Sequence, residues 1–310
     1  MSMFCAAVDW GTTGFRIWIL GKDGKVFGSR RSNEGMRSCS PGQFPEVLEA
    51  HLAALGAPAD LPAIICGMAG ARQGWMEAPY SFTPVAVASL ARSAVRIPGT
   101  TRKVRILPGI AQRDPDAPEV MRGEETQLLG VTAGLDKDTD VCMPGTHSKW
   151  VRVKDGTVTG FRTYLTGELF GAIRSGTIIA RYEAKSAEEH NAGAFADGTR
   201  LGLARPEQFI ASLFSIRSGE LLGFAKAGTA PSILSGLLIG TEIAAARALG
   251  FASRGAQLQL VASGPLGERY AEALAIAGIE FTTQDAETAV IAGLYRAAMA
   301  SFPRNGPEGA

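Results

Sequence analysis

One pattern of strands and turns occurs twice in this chain, and it constrains the fold more than any other feature. In the first copy, apolar residues end at Asp9, a Gly-Thr turn and a second apolar segment follow, and an Asp-Gly pair stands at residues 23 and 24. The second copy begins at Asp140 and repeats these parts, with its Asp-Gly pair at residues 155 and 156. Asp-Gly between apolar segments predicts a β-hairpin, so each copy is expected to form three strands. The repetition predicts two similar lobes that face each other.

The rest of the chain alternates between predicted strands and predicted helices. The predicted strands are Phe4–Asp9, Phe15–Leu20, Val26–Arg30, Ala63–Met68, Val104–Leu107, Val141–Met143, Ser148–Val153, Thr157–Leu165 and Leu258–Ala262. The predicted helices are Pro45–Leu55, Gly123–Val131, Glu168–Ile179, Pro206–Phe224, Ser232–Leu249, Ala286–Ala300 and one that follows Ser263-Gly264-Pro265. The polar stretch from Gly134 to Asp140 is the predicted boundary. Residues 1–135 are then the N-terminal lobe, with 286–310 packing back on it, and residues 136–285 are the C-terminal lobe.

The composition predicts a compact soluble protein and excludes several classes of function. A formal net charge of +1 gives no field that favours nucleic acid or an anionic membrane. The longest stretch without a charged residue, Ala227–Thr241, is shorter than the roughly 18–20 residues of a membrane-spanning helix. Four cysteines without a CxxC pair and three scattered histidines disfavour a disulfide framework and a zinc site. A reduced, cytoplasmic protein is expected.

The turn of the first copy has the features of a phosphate-binding loop. Gly11-Thr12-Thr13 offers backbone N–H groups and two hydroxyls with little side-chain bulk. Asp9 places a carboxylate beside it that is suited to the water shell of Mg²⁺, and Arg16 is suited to a phosphate or a substrate carboxylate. Taken alone, the same residues also fit an ordinary β-hairpin with a polar tip.

The turn of the second copy repeats this chemistry and adds a cation. It reads Gly145-Thr146-His147-Ser148-Lys149. Two such turns facing each other across a lobe interface would suit a nucleoside triphosphate, and lobe interfaces are favoured places for pockets. The sequence contains no GxxxxGK[ST], HExxH or GxSxG motif, so the P-loop, zincin and hydrolase-elbow alternatives are excluded.

These motifs resemble a known superfamily, that of the sugar kinases, actin and the chaperone ATPases. Asp9–Thr13 with Arg16 is similar to its first phosphate motif, Gly145-Thr146 to its second, and Val261–Gly264 with Pro265 to its adenosine motif. Longer motifs resemble the 2-dehydro-3-deoxygalactonokinase family from about residue 6 to about residue 300. They are Met121–Leu128, Met143–Trp150, Phe161–Thr163, Thr166–Leu169 and Leu234–Gly240.

The resemblance implies a fold and a reaction. The fold is an α/β, two-lobed actin-like ATPase (ribonuclease H-like) fold with duplicated β-β-β-α-β-α units and an interlobe cleft. The reaction is phosphorylation of 2-dehydro-3-deoxy-D-galactonate at its 6-hydroxyl, with ATP and Mg²⁺ as cofactors. Many sugar kinases of the superfamily carry an aspartate directly before the second Gly-Thr turn, whereas Met143-Pro144 stands there in this chain. The metal-linked carboxylate is therefore expected to be Asp9.

Three glutamates are candidates for the general base. Glu124 and Glu125 resemble the paired glutamates of the exopolyphosphatase branch of the superfamily, and Glu125 is favoured. Glu168 is the third candidate. Each also fits a simpler role as an acid in the first turn of a helix, where the helix dipole favours negative charge.

The substrate is a carboxylate, so the site needs a cation at its far end. Arg16, Arg72 and Arg122 are the candidates, with Gly70 and Trp75 as a wall of the substrate site. Each arginine also fits a solvated surface charge or an internal ion pair.

Two functions other than the galactonate kinase stay open on the sequence alone. An exopolyphosphatase-like phosphohydrolase would use Glu125 to activate water, and a nucleotide-binding regulator or filament subunit would turn over ATP without a sugar acid. A kinase for a related 2-keto-3-deoxy sugar acid is a variant of the main prediction. The expected partners are ATP and the sugar acid, with no nucleic acid and no membrane. The apolar Ser232–Ala246 segment fits either a core helix or a homodimer interface.

Overall fold

The chain divides into two compact units in the computed structural model. Unit 1 comprises Met1–Asp136, Lys154–Gly160 and Asp285–Ala310, and unit 2 comprises Lys137–Val153 and Phe161–Gln284. The structure describes residues 2–40, 42–132, 138–179, 190–253 and 256–302. The predicted boundary between residues 135 and 136 lies outside these described ranges. The predicted lobes therefore stay predictions.

The described residues form strands and helices in both units. The strands are β1 (Met3–Trp10), β2 (Phe15–Gly21), β3 (Val26–Ser32), β4 (Ala63–Gly67), β5 (Ser81–Phe82), β6 (Val85–Ala86), β7 (Val95–Arg96), β8 (Val104–Ile106), β9 (Ile110–Gln112), β10 (Glu119–Met121), β11 (Thr139–Met143), β12 (Ser148–Lys154), β13 (Thr157–Tyr164), β14 (Gln257–Val261) and β15 (Thr282–Gln284). The helices are α1 (Phe44–Ala54), α2 (Val87–Leu90), α3 (Glu124–Val131), α4 (Thr166–Gly176), α5 (Ala192–Ala204), α6 (Phe209–Leu221), α7 (Ala230–Ala248), α8 (Gly264–Ile276) and α9 (Ala286–Ser301).

Unit 1 is built on a mixed sheet with β1 near its centre. The strand order is β3-β2-β1-β4-β8-β7. β2 is antiparallel to β1 and β3, whereas β4 is parallel to β1 and β8. Ala6, Val8 and Trp10 lie in a core with Phe44 and Leu48 of α1, and α9 also packs on β1. A strand that is covered in this way is expected to be apolar along its length, which explains the apolar segment that ends at Asp9.

Unit 2 repeats this sheet with the same strand order. The second sheet is ordered β15-β14-β11-β12-β13-β6, and its first five strands match β8-β4-β1-β2-β3, with β11 in the place of β1. β12 is antiparallel to β11, and β14 is parallel to both β11 and β15. The predicted duplication is therefore confirmed. Between β12 and β13, Asp155 and Gly156 have φ values of 46° and 67°, which is the left-handed conformation that a two-residue hairpin turn requires.

Close packing of α5 against α7 in unit 2 accounts for part of the glycine content. The chain has 38 glycines, where the usual 7% would give about 22. A Cβ built on Gly236 would lie 2.1 Å from the Phe195 carbonyl oxygen, and one built on Gly198 would lie 2.2 Å from the Ile233 carbonyl oxygen. Both neighbours are backbone atoms that cannot move aside easily. Glycine at these positions lets the two helix backbones approach each other.

The structure differs from the predicted elements in several places. α5 and the short strands β5–β7, β9, β10 and β15 were absent from the prediction. The helix predicted at Glu168–Ile179 begins earlier, at Thr166, and ends at Gly176. Most of the Ser232–Ala246 segment lies in α7 with its apolar side chains in the cores of unit 2, and the homodimer stays a prediction. Among the described residues, no helix combines the length and the apolar character needed to cross a membrane.

Candidate active site

The first phosphate-type turn joins β1 to β2 and is braced by a neighbouring loop. The Gly11 N–H donates to the Gly14 carbonyl at 2.8 Å, and the Gly11 and Thr12 carbonyls accept from the N–H groups of Met36 and Arg37 at 2.9 and 3.0 Å. A Cβ on Gly35 would lie 2.4 Å from the Thr13 backbone, so the brace needs glycine there. Two turn carbonyls and the Gly11 N–H are therefore engaged within the protein, and the N–H groups of Thr12 and Thr13 are the ones that could meet an anion.

Asp9 lies at the end of β1 between side chains of two neighbouring strands. The strand register places it opposite Arg16 of β2 and Cys66 of β4. Arg16 Nη2 donates to Asp9 Oδ2 at 2.5 Å, and the Asp9 side chain is 14% exposed. Burial raises the pKa of Asp9, and the charge of Glu124 raises it further, while Arg16 lowers it. Arg16 is therefore engaged with Asp9 through Nη2, and its role toward the substrate stays a prediction.

The paired glutamates begin α3, as predicted. Gly123 precedes them with φ 114°, a conformation that favours glycine. The Glu125 carboxylate turns back to accept from the Gly123 N–H at 2.6 Å and from Thr126 Oγ1 at 3.2 Å. Glu124 Oε2 accepts from the Arg122 N–H at 3.0 Å. The two carboxyl groups therefore cap the start of α3, and they also lie close enough to influence each other electrostatically.

Glu125 has the most deeply buried carboxyl group of this cluster. Its side chain is buried, with only 1% of the residue exposed. Burial raises its pKa to about 8, with a further contribution from the charge of Glu124. Burial raises the pKa of the Cys66 thiol, and the negative charges of Asp9 and Glu125 raise it further. Unit 1 therefore brings Asp9, Glu124 and Glu125 together where β1 and β4 end, beside the first turn.

The other two candidate arginines lie in different environments. The Arg72 side chain is 82% exposed, and its Nε is 3.8 Å from Glu77 Oε1. Arg122 Nη2 donates to the Ala78 carbonyl at 2.8 Å, and its guanidinium lies 4.4 Å from the centre of the Tyr80 ring. Arg122 Nε and Nη1 are buried, and no described residue accepts a hydrogen bond from them. The charge of Arg122 also acts on Glu125, but buried donors without an acceptor are costly, and a ligand that accepts from Nε and Nη1 would remove that cost.

Of the two residues predicted to form a wall of the substrate site, Trp75 packs against the core of unit 1 and Gly70 lies beside Arg122. Trp75 is half-buried, stacked on Phe44 at 6.1 Å between ring centres, and its ring edge meets Trp10. Gly70 is buried, and a Cβ at that position would lie 2.8 Å from Arg122 Nη1. Glycine at residue 70 therefore leaves room for the Arg122 guanidinium.

The second phosphate-type turn is joined to the start of α4. The Glu168 N–H donates to the Thr146 carbonyl at 3.0 Å, and His147 Nε2 lies 2.5 Å from Glu168 Oε2. A Cβ on Gly167 would lie 2.5 Å from the Gly145 carbonyl oxygen. The turn and the first residues of α4 thus form one packed block, in which Glu168 is paired with His147.

Only part of the second turn is exposed. Thr146 and His147 are exposed, whereas Ser148 and Lys149 are buried within unit 2. Ser148 Oγ lies 2.7 Å from the Tyr270 hydroxyl, and Lys149 Nζ donates to the His147 carbonyl at 3.0 Å. These two side chains shape the turn from inside. Thr146 and His147 present its accessible surface.

The predicted adenosine motif stands at the start of α8. Ser263, Gly264 and Pro265 are all exposed. Gly264 has φ 61°, and it is the first residue of a helix whose early N–H groups have no partner within the helix.

One buried acid of unit 2, Glu242, was not among the site residues predicted from the sequence. Glu242 on α7 is 3% exposed and is hydrogen-bonded by Trp150, Thr166 and Tyr270. A signal was present, because Glu242 directly follows the charge-free stretch Ala227–Thr241 in an otherwise apolar helix. An acid at a core position is rare without hydrogen-bond partners.

The two sheets define the class of protein to which this chain belongs. The strand order of each sheet and its repetition are those of the actin-like ATPase (ribonuclease H-like) fold. A crystal structure from Sinorhizobium meliloti, whose title assigns it provisionally as a 2-dehydro-3-deoxygalactonokinase, shares this fold with a TM-score of 0.92 and 51% identity. The likeness covers 97% of this chain and 100% of that one.

Sequence comparisons then define the family. The model of the 2-keto-3-deoxy-galactonokinase family matches residues 9–297. A probable 2-dehydro-3-deoxygalactonokinase of Rhizobium meliloti is 51% identical over 97% of this chain and 98% of its own length. The 2-dehydro-3-deoxygalactonokinase of Escherichia coli is 33% identical over 93% of this chain and 95% of its own length. The chain belongs to the 2-keto-3-deoxy-galactonokinase family, and the resemblance seen in its motifs is confirmed.

Proposed function

We propose that this protein catalyses ATP-dependent phosphorylation of 2-dehydro-3-deoxy-D-galactonate at its 6-hydroxyl. The products are 2-dehydro-3-deoxy-6-phosphogalactonate and ADP. The observation that carries the proposal is the buried Glu125 carboxyl, whose pKa is raised to about 8 in a cluster with Asp9 beside the first turn. A general base works best when its pKa lies near the operating pH. Family membership supports the substrate, because both relatives carry the name of this enzyme.

The proposed chemistry needs positioning, charge neutralisation and one base. Phosphoryl transfer has a loose transition state, so catalysis depends mainly on positioning and on electrostatic stabilisation of the phosphate oxygens, to which backbone N–H groups contribute. The turns at Gly11-Thr12-Thr13 and Gly145-Thr146-His147 supply such groups, and the exposed Ser263-Gly264-Pro265 turn is proposed to contact the adenosine. As the substrate 6-oxygen bonds to the γ-phosphorus, its proton passes to the Glu125 carboxylate. The bond to the β-phosphate oxygen breaks, and ADP leaves.

Asp9 and Glu124 fit a Mg²⁺ ion that is bound together with ATP. Among the described residues, no group of three or more histidine, cysteine or acidic side chains forms a cage that could hold a metal. Mg²⁺ commonly keeps several waters and uses one or two carboxylates plus substrate phosphates. Burial is the main cause of the raised pKa of Asp9, and the charge of Glu124 adds to it; a cation beside both carboxylates would relieve this repulsion. When bound, Mg²⁺ would neutralise charge on the phosphate oxygens.

Replacing Asp9 with asparagine tests this assignment. We expect the Mg²⁺ concentration for half-maximal activity to rise by about tenfold or more, or ~1.4 kcal/mol, because the carboxylate charge is lost while the side-chain size is kept. The measurement is a Mg²⁺ titration of initial rate at saturating ATP. Asp23→Asn is the matched control, since Asp23 is an exposed acid bonded to Lys25 in the β2–β3 turn. An Asp9→Asn enzyme with the parent Mg²⁺ response would contradict the assignment.

Arg122 is the proposed ligand of the substrate carboxylate. Arg16 is bonded to Asp9 and Arg72 projects into solvent, whereas Arg122 has two buried nitrogens without a partner among the described residues. A guanidinium can offer two parallel hydrogen bonds to a carboxylate. Arg122 therefore combines the right charge with unused donors.

Changing Arg122 to glutamine is expected to raise the KM for the sugar acid by roughly 10- to 100-fold, from the loss of about 1.5–3 kcal/mol of charge-assisted hydrogen bonding. The KM for ATP should stay near the parent value. Steady-state kinetics with each substrate varied in turn measure both constants. Arg113→Gln is the control, because Arg113 also covers an aromatic ring of unit 1, that of Phe82 at 3.6 Å. An unchanged KM for Arg122→Gln, with a raised KM for Arg72→Gln, would assign the carboxylate to Arg72.

A coupled assay of ADP formation tests the proposed substrate. We expect ATP turnover to depend on 2-dehydro-3-deoxy-D-galactonate, with slower turnover of its gluconate-derived epimer. Equal rates for both epimers would widen the proposal to related 2-keto-3-deoxy sugar acids. Phosphate release from polyphosphate without any sugar acid would favour a phosphohydrolase. Slow ATP turnover that no sugar acid changes would favour a nucleotide-binding regulator.

A cytoplasmic location is part of the same proposal. Cys5, Cys39, Cys66 and Cys142 are all free thiols, which is typical of proteins from reducing compartments. The proposed use of ATP fits such a compartment.

A further inference from the structure

Glu242 lies at the centre of a buried hydrogen-bond network in unit 2. Trp150 Nε1 donates to Glu242 Oε1 at 2.8 Å, and the Tyr270 hydroxyl donates to Oε2 at 2.7 Å. The Thr166 hydroxyl donates to the same Oε2. Every member of this network is buried. Removing a carboxylate from water is costly unless hydrogen bonds compensate, and three donors provide that compensation here.

The donors to Glu242 come from the elements that carry the proposed nucleotide-binding residues of unit 2. Trp150 belongs to β12, which begins at the end of the second turn. Thr166 is the first residue of α4, and the two residues after it, Gly167 and Glu168, pack against that turn. Tyr270 belongs to α8, which begins at the predicted adenosine motif. One carboxylate thus connects three separate elements of the site.

The network also reaches the second turn directly. Ser148 Oγ lies 2.7 Å from the Tyr270 hydroxyl, and the Ser148 hydroxyl also hydrogen-bonds to the Glu242 carboxyl. Ser148 follows His147, the last exposed residue of the turn. A shift of Tyr270 or Trp150 would therefore move the backbone that carries the accessible N–H groups of Thr146 and His147.

We propose that Glu242 is a positioning residue for ATP, which fixes the Gly145-Thr146-His147 turn through Trp150, Thr166 and Tyr270. The inference rests on the proposed use of ATP and adds a residue that contacts neither substrate. A role in packing alone predicts loss of stability when Glu242 is changed. A positioning role also predicts loss of ATP affinity beyond what an equal loss of stability produces.

The test measures the Kd for ATP by isothermal titration calorimetry on the full chain without a sugar acid, with the Tm of each variant. We expect Glu242→Ala to raise the Kd by about tenfold or more, or ~1.4 kcal/mol. Glu242→Gln should stay within about threefold of the parent Kd, because its amide oxygen still accepts from Trp150 and its NH₂ group donates to the Thr166 and Tyr270 oxygens. Leu237→Ala is the control, since Leu237 is a fully buried residue of the same helix that makes only apolar contacts.

Two further variants, Leu237→Ala and Tyr270→Phe, separate a positioning role of Glu242 from a role in packing. Leu237→Ala should lower the Tm and leave the Kd within about threefold of the parent value; an equal rise in Kd at an equal loss of Tm would reduce Glu242 to a packing role. If Glu242→Ala does not fold, Tyr270→Phe is measured instead, because it removes a hydroxyl that donates to Glu242 and lies 2.7 Å from Ser148 Oγ, and it keeps the buried ring. A Kd raised by about threefold or more supports the inference, and an unchanged Kd overturns it. A parent protein that does not bind ATP would overturn the proposed function as well.

Discussion

Glutamine in place of Glu125 is expected to lower kcat by about 10²- to 10⁴-fold, the usual contribution of a positioned general base. The Kd for ATP should change by less than about threefold, because Glu125 is assigned to the acceptor hydroxyl and not to the nucleotide. Single-turnover kinetics and ATP titration of Glu125→Gln separate the two effects. Glutamine keeps the size of the side chain and an oxygen that can accept from the Gly123 N–H. A variant with parent activity would remove Glu125 as the base.

The pH dependence of the parent enzyme follows from the same assignment. A base with a pKa of about 8 gives a kcat/KM that rises with pH and levels off above that value. Glu124→Gln provides the matched variant, because the charge of Glu124 contributes to the raised pKa of Glu125. The acidic limb of its kcat/KM profile should shift to lower pH, measured at saturating Mg²⁺ because Glu124 is also a proposed ligand of the metal. If kcat/KM rises at the same pH in both enzymes, the proposed effect of the Glu124 charge on the pKa of Glu125 is contradicted.

The raised pKa of Glu125 also predicts a stability difference. In the unfolded chain this carboxyl has its ordinary pKa of 4.5, against about 8 in the folded protein. Between these values the folded state holds a proton that the unfolded state has lost, so the stabilising effect is complete below pH 4.5 and is lost as pH rises through about 8. The free energy of unfolding of the parent should fall relative to Glu125→Gln by roughly 1.4 kcal/mol per pH unit within this window. Denaturant unfolding of both proteins from pH 4.5 to 8.5 measures the difference, and a constant difference would contradict the shifted pKa.

Gly236→Ala is expected to produce one of the largest losses of stability in unit 2. Alanine is favoured over glycine inside a helix by about 1 kcal/mol, yet its Cβ would lie 2.1 Å from the Phe195 carbonyl oxygen and 2.8 Å from the Thr199 nitrogen. Separating α5 from α7 to relieve this contact should cost about 1–3 kcal/mol or more. The net change is therefore destabilising, and urea unfolding measures it.

Gly171→Ala supplies the matched control for this prediction. Gly171 is an exposed residue inside α4, and among the described residues no atom beyond its chain neighbours and its own helix backbone lies within 4 Å of the Cβ position. Only the helix preference acts there, so the substitution should raise stability by about 0.5–1 kcal/mol. Equal effects of the two substitutions would show that α5 and α7 do not pack as closely as the structure has them.

Local signals in the sequence were sufficient to predict the repeated part of the fold. The Asp155-Gly156 pair and the apolar segments around it define a hairpin through backbone preferences alone. The fully covered strand β1 reads as a continuous apolar run for the same local reason. Glu124 and Glu125 were placed at the start of α3 because acids favour the positive end of a helix. Each of these predictions depends on residues close together in the chain.

The failures involve features that depend on distant residues. α5 (Ala192–Ala204) escaped prediction because its glycines lower helix preference, and the reason for Gly198 and Gly202 is the backbone of α7 against which they pack. β15 is short and polar, and it is a strand because it pairs with β14. In both cases the tertiary partner decides the structure.

The candidate site shows the same division. The turns and their residue types were evident from the sequence, whereas the partners of the charged side chains were not. Arg16 pairs with Asp9 because the β1–β2 register places them opposite each other. Glu242 became a candidate only when Trp150, Thr166 and Tyr270 were seen to converge on it. Sequence patterns predicted which groups could act, and the fold determined which of them meet.

The measurement that tests the central claim most directly is ³¹P NMR of the reaction of the parent protein with ATP and 2-dehydro-3-deoxy-D-galactonate. The proposed function predicts one new phosphomonoester signal that grows in step with ADP. That signal should be a triplet, because a phosphate on the 6-oxygen couples to the two protons of a CH₂ group. Inorganic phosphate in place of the ester, or a doublet from a phosphate on a CH oxygen, would contradict it.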